Sequence, residues 1–231
     1  HSGAFGSRSI EHEDATTTRT VFRIASMTKS FTAAAVLLLR DEGTLRLDDP
    51  AEEYLPQLTG LPLPSADSAR PTVRNLLQMN AGWPQDDPWA DRQLYLDDAA
   101  IDAITTTGLS YSTPPGTRFE YSNFGYILLG RIIQAASGIP AMQFITERLL
   151  DPLGMQETHW QLQGLEHAQY APGYRYEDET WRAEEPIPSG GDVAAFAGLC
   201  STVDDLARWV AMFLDAWPPR DYAEAYPLCR A

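Results

Sequence analysis

The sequence predicts an α+β fold with more helix than strand, on three observations. The first 24 residues carry a strand-like pattern, Ala4-Phe5-Gly6 and then Thr20-Val21-Phe22-Arg23-Ile24 around a polar, charged loop, which reads as a hairpin. Directly after it, residues 26–39 are apolar nearly all round, the mark of a helix buried on several sides. Two further apolar runs of helical length, 124–133 and 203–215, are bounded by capping residues and glycine.

The remaining elements follow in chain order. Arg40, Asp41 and Glu42 bring the first helix to the surface, and Gly43 ends it just past its cap. Residues 45–50 form a short extended segment and a turn, and 51–55 a short helix stopped by Pro56. Residues 56–71, rich in Pro, Ser and Gly, are loop; 73–79 is a helix with Thr72 as its cap, broken by Asn80-Ala81-Gly82-Trp83-Pro84. Residues 85–98 hold several acids with Trp89 and Tyr95, which reads as a long surface loop fit to roof a pocket, and 99–105 is helical. The helix 124–133 is closed by Gly138. The last helix has Ser201 or Thr202 as its cap and Asp204 or Asp205 near a capping box. Its apolar stripe of Leu206, Trp209, Val210 and Phe213 needs a partner surface.

A chain of 231 residues with 44% hydrophobic and 10% aromatic content can fill a substantial core. No run approaches the ~18 apolar residues of a membrane helix. A net charge of −15 repels nucleic acid and anionic lipid over most of the surface, so neither is expected as a partner. Cys200 and Cys229 lack the C-x-x-C spacing of a metal site or a disulfide framework; Cys200 reads as a small buried residue, and one bridge between the two stays open. His1, His12, His159 and His167 are scattered, so no metal and no cofactor are expected. The compartment is left unassigned, because the chain opens at His1 without an initiator Met.

Chemistry concentrates in Ser26-Met27-Thr28-Lys29. Serine is a poor nucleophile until a neighbour takes its proton, and a lysine desolvated by apolar surroundings can do so. At i and i+3 the two side chains share a helix face. Lys29 is the one lysine beside 16 arginines, and arginine cannot be deprotonated. Among 13 serines, a lysine dropped at random lands three residues after one about 6% of the time. The bland alternative, an N-cap serine beside a solvated lysine, needs that coincidence. Tyr121 and Asn123 stand at the start of the helix 124–133, where packing and capping explain such residues by themselves. Beside Ser26 and Lys29 they gain a chemical reading: a tyrosine hydroxyl can shuttle a proton, and an amide can hold both a substrate carbonyl and a lysine amine.

Ser26-Met27-Thr28-Lys29 followed by Tyr121-Ser122-Asn123 resembles the S-x-x-K and Y-x-N motifs of the serine β-lactamase and penicillin-binding-protein family. The Y-x-N form points to the branch holding class C β-lactamases, D-alanyl-D-alanine carboxypeptidases and family VIII esterases. Residues 22–43, Leu76-Leu77-Gln78-Met79-Asn80-Ala81-Gly82, residues 115–138, Asp151-Pro152-Leu153-Gly154-Met155 and residues 198–206 are also similar to family segments in family order. The resemblance implies a β-lactamase/transpeptidase-like fold, a helical lobe beside an antiparallel sheet flanked by helices. Within a single domain over 1–231, residues 1–50 would supply the sheet-lobe hairpin and nucleophile helix, 51–170 the helical lobe, and 171–231 the return towards the sheet.

It further implies an acyl-enzyme on Ser26, with Lys29 accepting the proton, Tyr121 taking part in proton transfer and Asn123 binding substrate. The oxyanion would be held by the Ser26 N–H and one strand N–H. The family's third motif, K-T-G or H-S/T-G, has no match after the last helix; His1-Ser2-Gly3 matches only in letters, in the place of the family's first strand. The C-terminal strands are therefore expected to be missing, with a second chain or a further segment completing the sheet over a site cleft open on one side. Two functions stay open: a serine hydrolase acting on an ester, a β-lactam or a D-amino-acid peptide, and a binding or sensor relative that keeps the nucleophile without turnover.

Overall fold

The computed structural model describes residues 2–11, 14–86, 94–184 and 190–216. His1, His12, Trp89 and Cys229 lie outside the described residues, so the pairing of Cys200 with Cys229 and the tripeptide at the first residue do too. In chain order the elements are β1 (Phe22–Arg23), α1 (Thr28–Asp41), α2 (Val73–Leu77), α3 (Asp98–Thr107), α4 (Asn123–Ser137), α5 (Ala141–Ile145), β2 (Tyr174–Glu177), β3 (Thr180–Ala183), α6 (Ala194–Ala197), β4 (Cys200–Ser201) and α7 (Val203–Ala216).

Strand among the described residues is confined to two small antiparallel pairs. β1 lies against β4, with Phe22 opposite Ser201 and Arg23 opposite Cys200, and β2 pairs with β3. The hairpin expected between Ala4-Phe5-Gly6 and residues 20–24 does not form. The chain turns back earlier, Ser7 opposite Ala15 and the Thr16 N–H on the Gly6 carbonyl, while Val21 bridges to Tyr170. The cause is long-range: Arg8 donates to the carbonyls of His167 and Tyr170 and pairs with Asp14, tying the N-terminal segment to a stretch 160 residues on. The β2–β3 hairpin was not expected either. Its turn places Asp178 and Glu179 at φ 51° and 60°, a conformation that sequence announces through Asn-Gly or Asp-Gly and that Asp-Glu conceals.

Helix α1 is sheathed on most sides, Phe31, Ala35 and Val36 being fully buried, and Gly43 ends it at φ 74° with its N–H on the Arg40 carbonyl. Thr72 and Asn75 form a reciprocal capping box on α2. The helix expected at 51–55 is instead a pair of 3-10 turns, Ala51–Glu53 and Pro56–Leu58, since proline is tolerated at a first helical position. Helix α5 and the π-turn that continues it, Thr146–Leu150, were not foreseen.

In α7 the cap is Thr202, whose hydroxyl accepts from the Asp205 N–H. Asp205 does not complete a capping box, because its carboxylate takes the Glu157 N–H, the Thr158 hydroxyl and Arg208. The buried face is Asp205, Trp209, Met212 and Ala216, whereas Val210 and Phe213 are 53% and 42% exposed. Trp209 sets that rotation: its ring stacks on Phe31 of α1 with centroids 3.9 Å apart, and its indole N–H donates to Ser30 Oγ at 3.1 Å.

Helices α1, α4 and α6 pack on one another around the core. The approach of α4 to α6 depends on Gly130, where a Cβ would stand 2.7 Å from that of Ala195. No helix of the described residues is long and apolar enough to cross a membrane.

Candidate active site

The site begins where β1 runs into α1. The Ile24 N–H donates to the Leu199 carbonyl at 3.0 Å, and the chain then enters a 3-10 turn, Ala25–Met27, continuous with α1. Ala25 sits at φ 45°, a left-handed conformation that costs a non-glycine residue about 1–2 kcal/mol. Ser26, the next residue, is exposed. No side chain caps this end, and the Met27 N–H is the one that reaches back to the Ile24 carbonyl, at 3.1 Å. The Ser26 amide therefore belongs to an uncapped first turn at the positive end of a helix.

One turn inward lies Lys29, 6% exposed. Its Nζ donates to Ser26 Oγ at 3.0 Å, to Asn123 Oδ1 at 2.7 Å and to the Phe196 carbonyl at 3.1 Å. Three acceptors match the three hydrogens of an ammonium group. The rings of Tyr121, Phe196 and Tyr126 surround the nitrogen with centroids at 4.9, 5.1 and 5.7 Å, a partly desolvated cation–π setting. On either side of Lys29, the Thr28 hydroxyl accepts the Leu199 N–H at 3.1 Å and the Thr32 hydroxyl donates to the Ala195 carbonyl at 2.6 Å. These bonds stitch α1 to the α6 segment and hold the Phe196 carbonyl over the lysine.

Asn123, the first residue of α4, is fully buried. Because the ammonium offers only donors, Asn123 must present Oδ1 to it. That leaves Nδ2 as a buried donor without a hydrogen-bond partner among the described residues. Tyr121, two residues before, is half-buried. Behind it, burial and then the neighbouring Tyr121 push the Tyr126 hydroxyl up to about 12, and that hydroxyl donates to the Leu77 carbonyl at 3.2 Å. Tyr126 thus stays protonated, with its hydroxyl engaged by the Leu77 carbonyl.

The four residues singled out in the sequence thus converge, three by hydrogen bonds and Tyr121 by its ring. Two contributors escaped sequence reasoning. The Phe196 carbonyl is a backbone group and carries no residue signature. Asp86, at the start of the stretch that reads as a long surface loop, accepts the Asn123 and Phe124 N–H groups at 2.7 and 2.8 Å. Of the described histidines, His167 bonds Tyr170 and His159 pairs through its backbone with Cys200, so neither joins the site. No group of three His, Cys, Asp or Glu among the described residues is placed to hold a metal. Burial raises the Cys200 thiol to about 11, making it an unreactive core residue.

Known proteins share the fold of this chain. The chain is 30% identical over 222 residues to Protein flp of Staphylococcus aureus strain MW2, a match covering 94% of the chain and 43% of that protein. Among solved structures it superposes on an octameric penicillin-binding protein homologue from Pyrococcus abyssi with a TM-score of 0.73 and 32% identity, covering 91% of this chain and 48% of the other. A class C beta-lactamase matches with the same TM-score at 25% identity, covering 90% and 54%. The chain therefore spans about half the length of these relatives. It has the β-lactamase/transpeptidase-like fold, and since the Beta-lactamase family model matches residues 1–225, the chain belongs to that family.

Proposed function

We propose that the protein is a serine hydrolase that works through an acyl-enzyme, and the observation that carries this reading is the 3.0 Å contact between the exposed Ser26 hydroxyl and the buried amine of Lys29. The ammonium of Lys29 must first release one proton to solvent; the neutral amine then takes the Ser26 proton as Oγ attacks a substrate carbonyl carbon. The oxygen of the tetrahedral intermediate develops charge beside the Ser26 amide of the uncapped helix start. Tyr121, against the lysine, relays the proton to the leaving oxygen or nitrogen; the carbonyl-to-leaving-group bond breaks and the acyl group stays on Ser26. Water then attacks the ester by the reverse proton path, releasing a carboxylic acid and restoring the Ser26 hydroxyl.

The Asn123 Nδ2, without a partner among the described residues, supports a carbonyl acceptor on the substrate, a feature shared by amide-bearing β-lactams and D-amino-acid peptides. Likeness to a class C beta-lactamase and to a penicillin-binding protein homologue supports these two substrate classes, with simple esters as a third. Small molecules or short peptides are the substrates this reading calls for.

Intact-mass analysis and peptide mapping after exposure to a fluorophosphonate or a β-lactam test the proposal. One adduct, on Ser26 and absent in Ser26→Ala, is expected; an adduct on another serine refutes it. Steady product release from a p-nitrophenyl ester, a chromogenic cephalosporin or a D-Ala-D-Ala peptide separates the hydrolase from a sensor that stops at one adduct per chain.

A further inference from the structure

We propose that Asp86 is the positioning residue that sets Asn123, and through it Lys29, for reaction; the inference rests on the serine-hydrolase reading above. Among the described residues Asn123 is held at its side-chain end by one bond, Oδ1 to Lys29, its Nδ2 having no partner there. Its placement is therefore decided from the backbone side. There Asp86 grips the motif twice. The Asp86 carboxylate accepts the Asn123 N–H on one oxygen and the Phe124 N–H on the other, at 2.7 and 2.8 Å, and the Asp86 N–H donates to the Tyr121 carbonyl at 3.3 Å.

Charge-assisted bonds of this kind are about twice as strong as neutral ones, and the paired geometry fixes direction as well as distance. The amides belong to the first turn of α4, where a negative charge is also favoured by the helix dipole. Helix capping alone does not require this residue, since Ser122 already caps the same end by accepting the Gly125 N–H at 3.0 Å. What Asp86 adds is control over the two residues on either side of Ser122, Tyr121 and Asn123, both of which stand against Lys29.

The decisive variant is Asp86→Asn. An amide keeps the shape, but one of its ends becomes a donor facing a backbone N–H, so the paired geometry cannot be kept. A displacement approaching 1 Å in such a site costs up to ~10²-fold in rate. The experiment measures the fluorophosphonate labelling rate of Ser26 in wild type, Asp86→Asn, Asn123→Ala and the double variant, with hydrogen–deuterium exchange over residues 121–126.

Each single variant is expected to label roughly 10-fold slower or worse, and the double within roughly 3-fold of Asn123→Ala, because residues acting through one another are non-additive. Exchange should rise at 121–126 in Asp86→Asn, with the rest of the chain unchanged. Labelling at the wild-type rate in Asp86→Asn, or losses that multiply in the double variant, overturns the proposal; multiplication would mean Asp86 only steadies the helix. A wild type left unlabelled would defeat the nucleophile reading instead, while unchanged exchange at 121–126 would by itself show that Asp86 does not hold Asn123.

Discussion

The two helix starts that meet at the site are built in opposite ways. At the start of α1 no side chain caps the amides, Ala25 is strained and Ser26 is exposed. At the start of α4, Asp86 and Ser122 satisfy three successive amides and Asn123 is fully buried. An end that is to hold a developing negative charge must leave its N–H groups to the ligand, whereas an end that must present one side chain in a fixed place needs its own N–H groups occupied. The open end is secured from behind, by the packing of Phe31 and by the Thr28 and Thr32 bonds to the α6 segment, and the closed end by polar bonds at its tip.

That contrast can be broken by experiment, and the largest effect is expected from the packing. Phe31→Ala removes a fully buried ring stacked on Trp209 and should cost about 3–5 kcal/mol in urea denaturation. A loss below that of a single cap would show that the open end is not held from behind. Lys29→Arg keeps the charge and loses the proton-accepting capacity, so Ser26 acylation should fall by at least ~10²-fold with the circular dichroism spectrum retained. A folded variant within a few-fold of wild type would remove the lysine from the chemistry. Ser122→Ala, at the closed end, should lower stability by about 1 kcal/mol, read as a reduced urea midpoint. The smallest effect is Ala25→Gly, which relieves the left-handed strain at the open end and should raise stability by up to about 1 kcal/mol without raising the labelling rate. Destabilisation by that change would mean the turn is not strained.

How much of this was legible in the sequence follows the range of the interactions. Ser26 and Lys29 are one helical turn apart, so their spacing announces their contact. Gly43 and Thr72 act within their own turns and were read in their places. Asp86 meets Asn123 across 37 residues, and nothing in its neighbourhood distinguishes it from the other acids of that loop. The stripe on α7 shows the complementary limit. Periodicity identified an amphipathic helix, but which edge of the stripe is covered was decided by Trp209 reaching Phe31, so Val210 and Phe213 were misassigned to the buried face. The N-terminal hairpin failed for the same reason: local pattern proposed a neighbour, and Arg8 supplied a distant one.

The three acceptors around the Lys29 amine lie 3, 94 and 167 residues away from it in the chain. A chain emerging from synthesis therefore carries the serine and lysine side by side long before it carries the groups that orient them. Until α4 and α6 have docked, the lysine stands in water as an ordinary ammonium ion and the serine is inert. On the serine-hydrolase reading, reactivity is then a late property of folding, and covalent labelling of Ser26 becomes a report on completed tertiary structure.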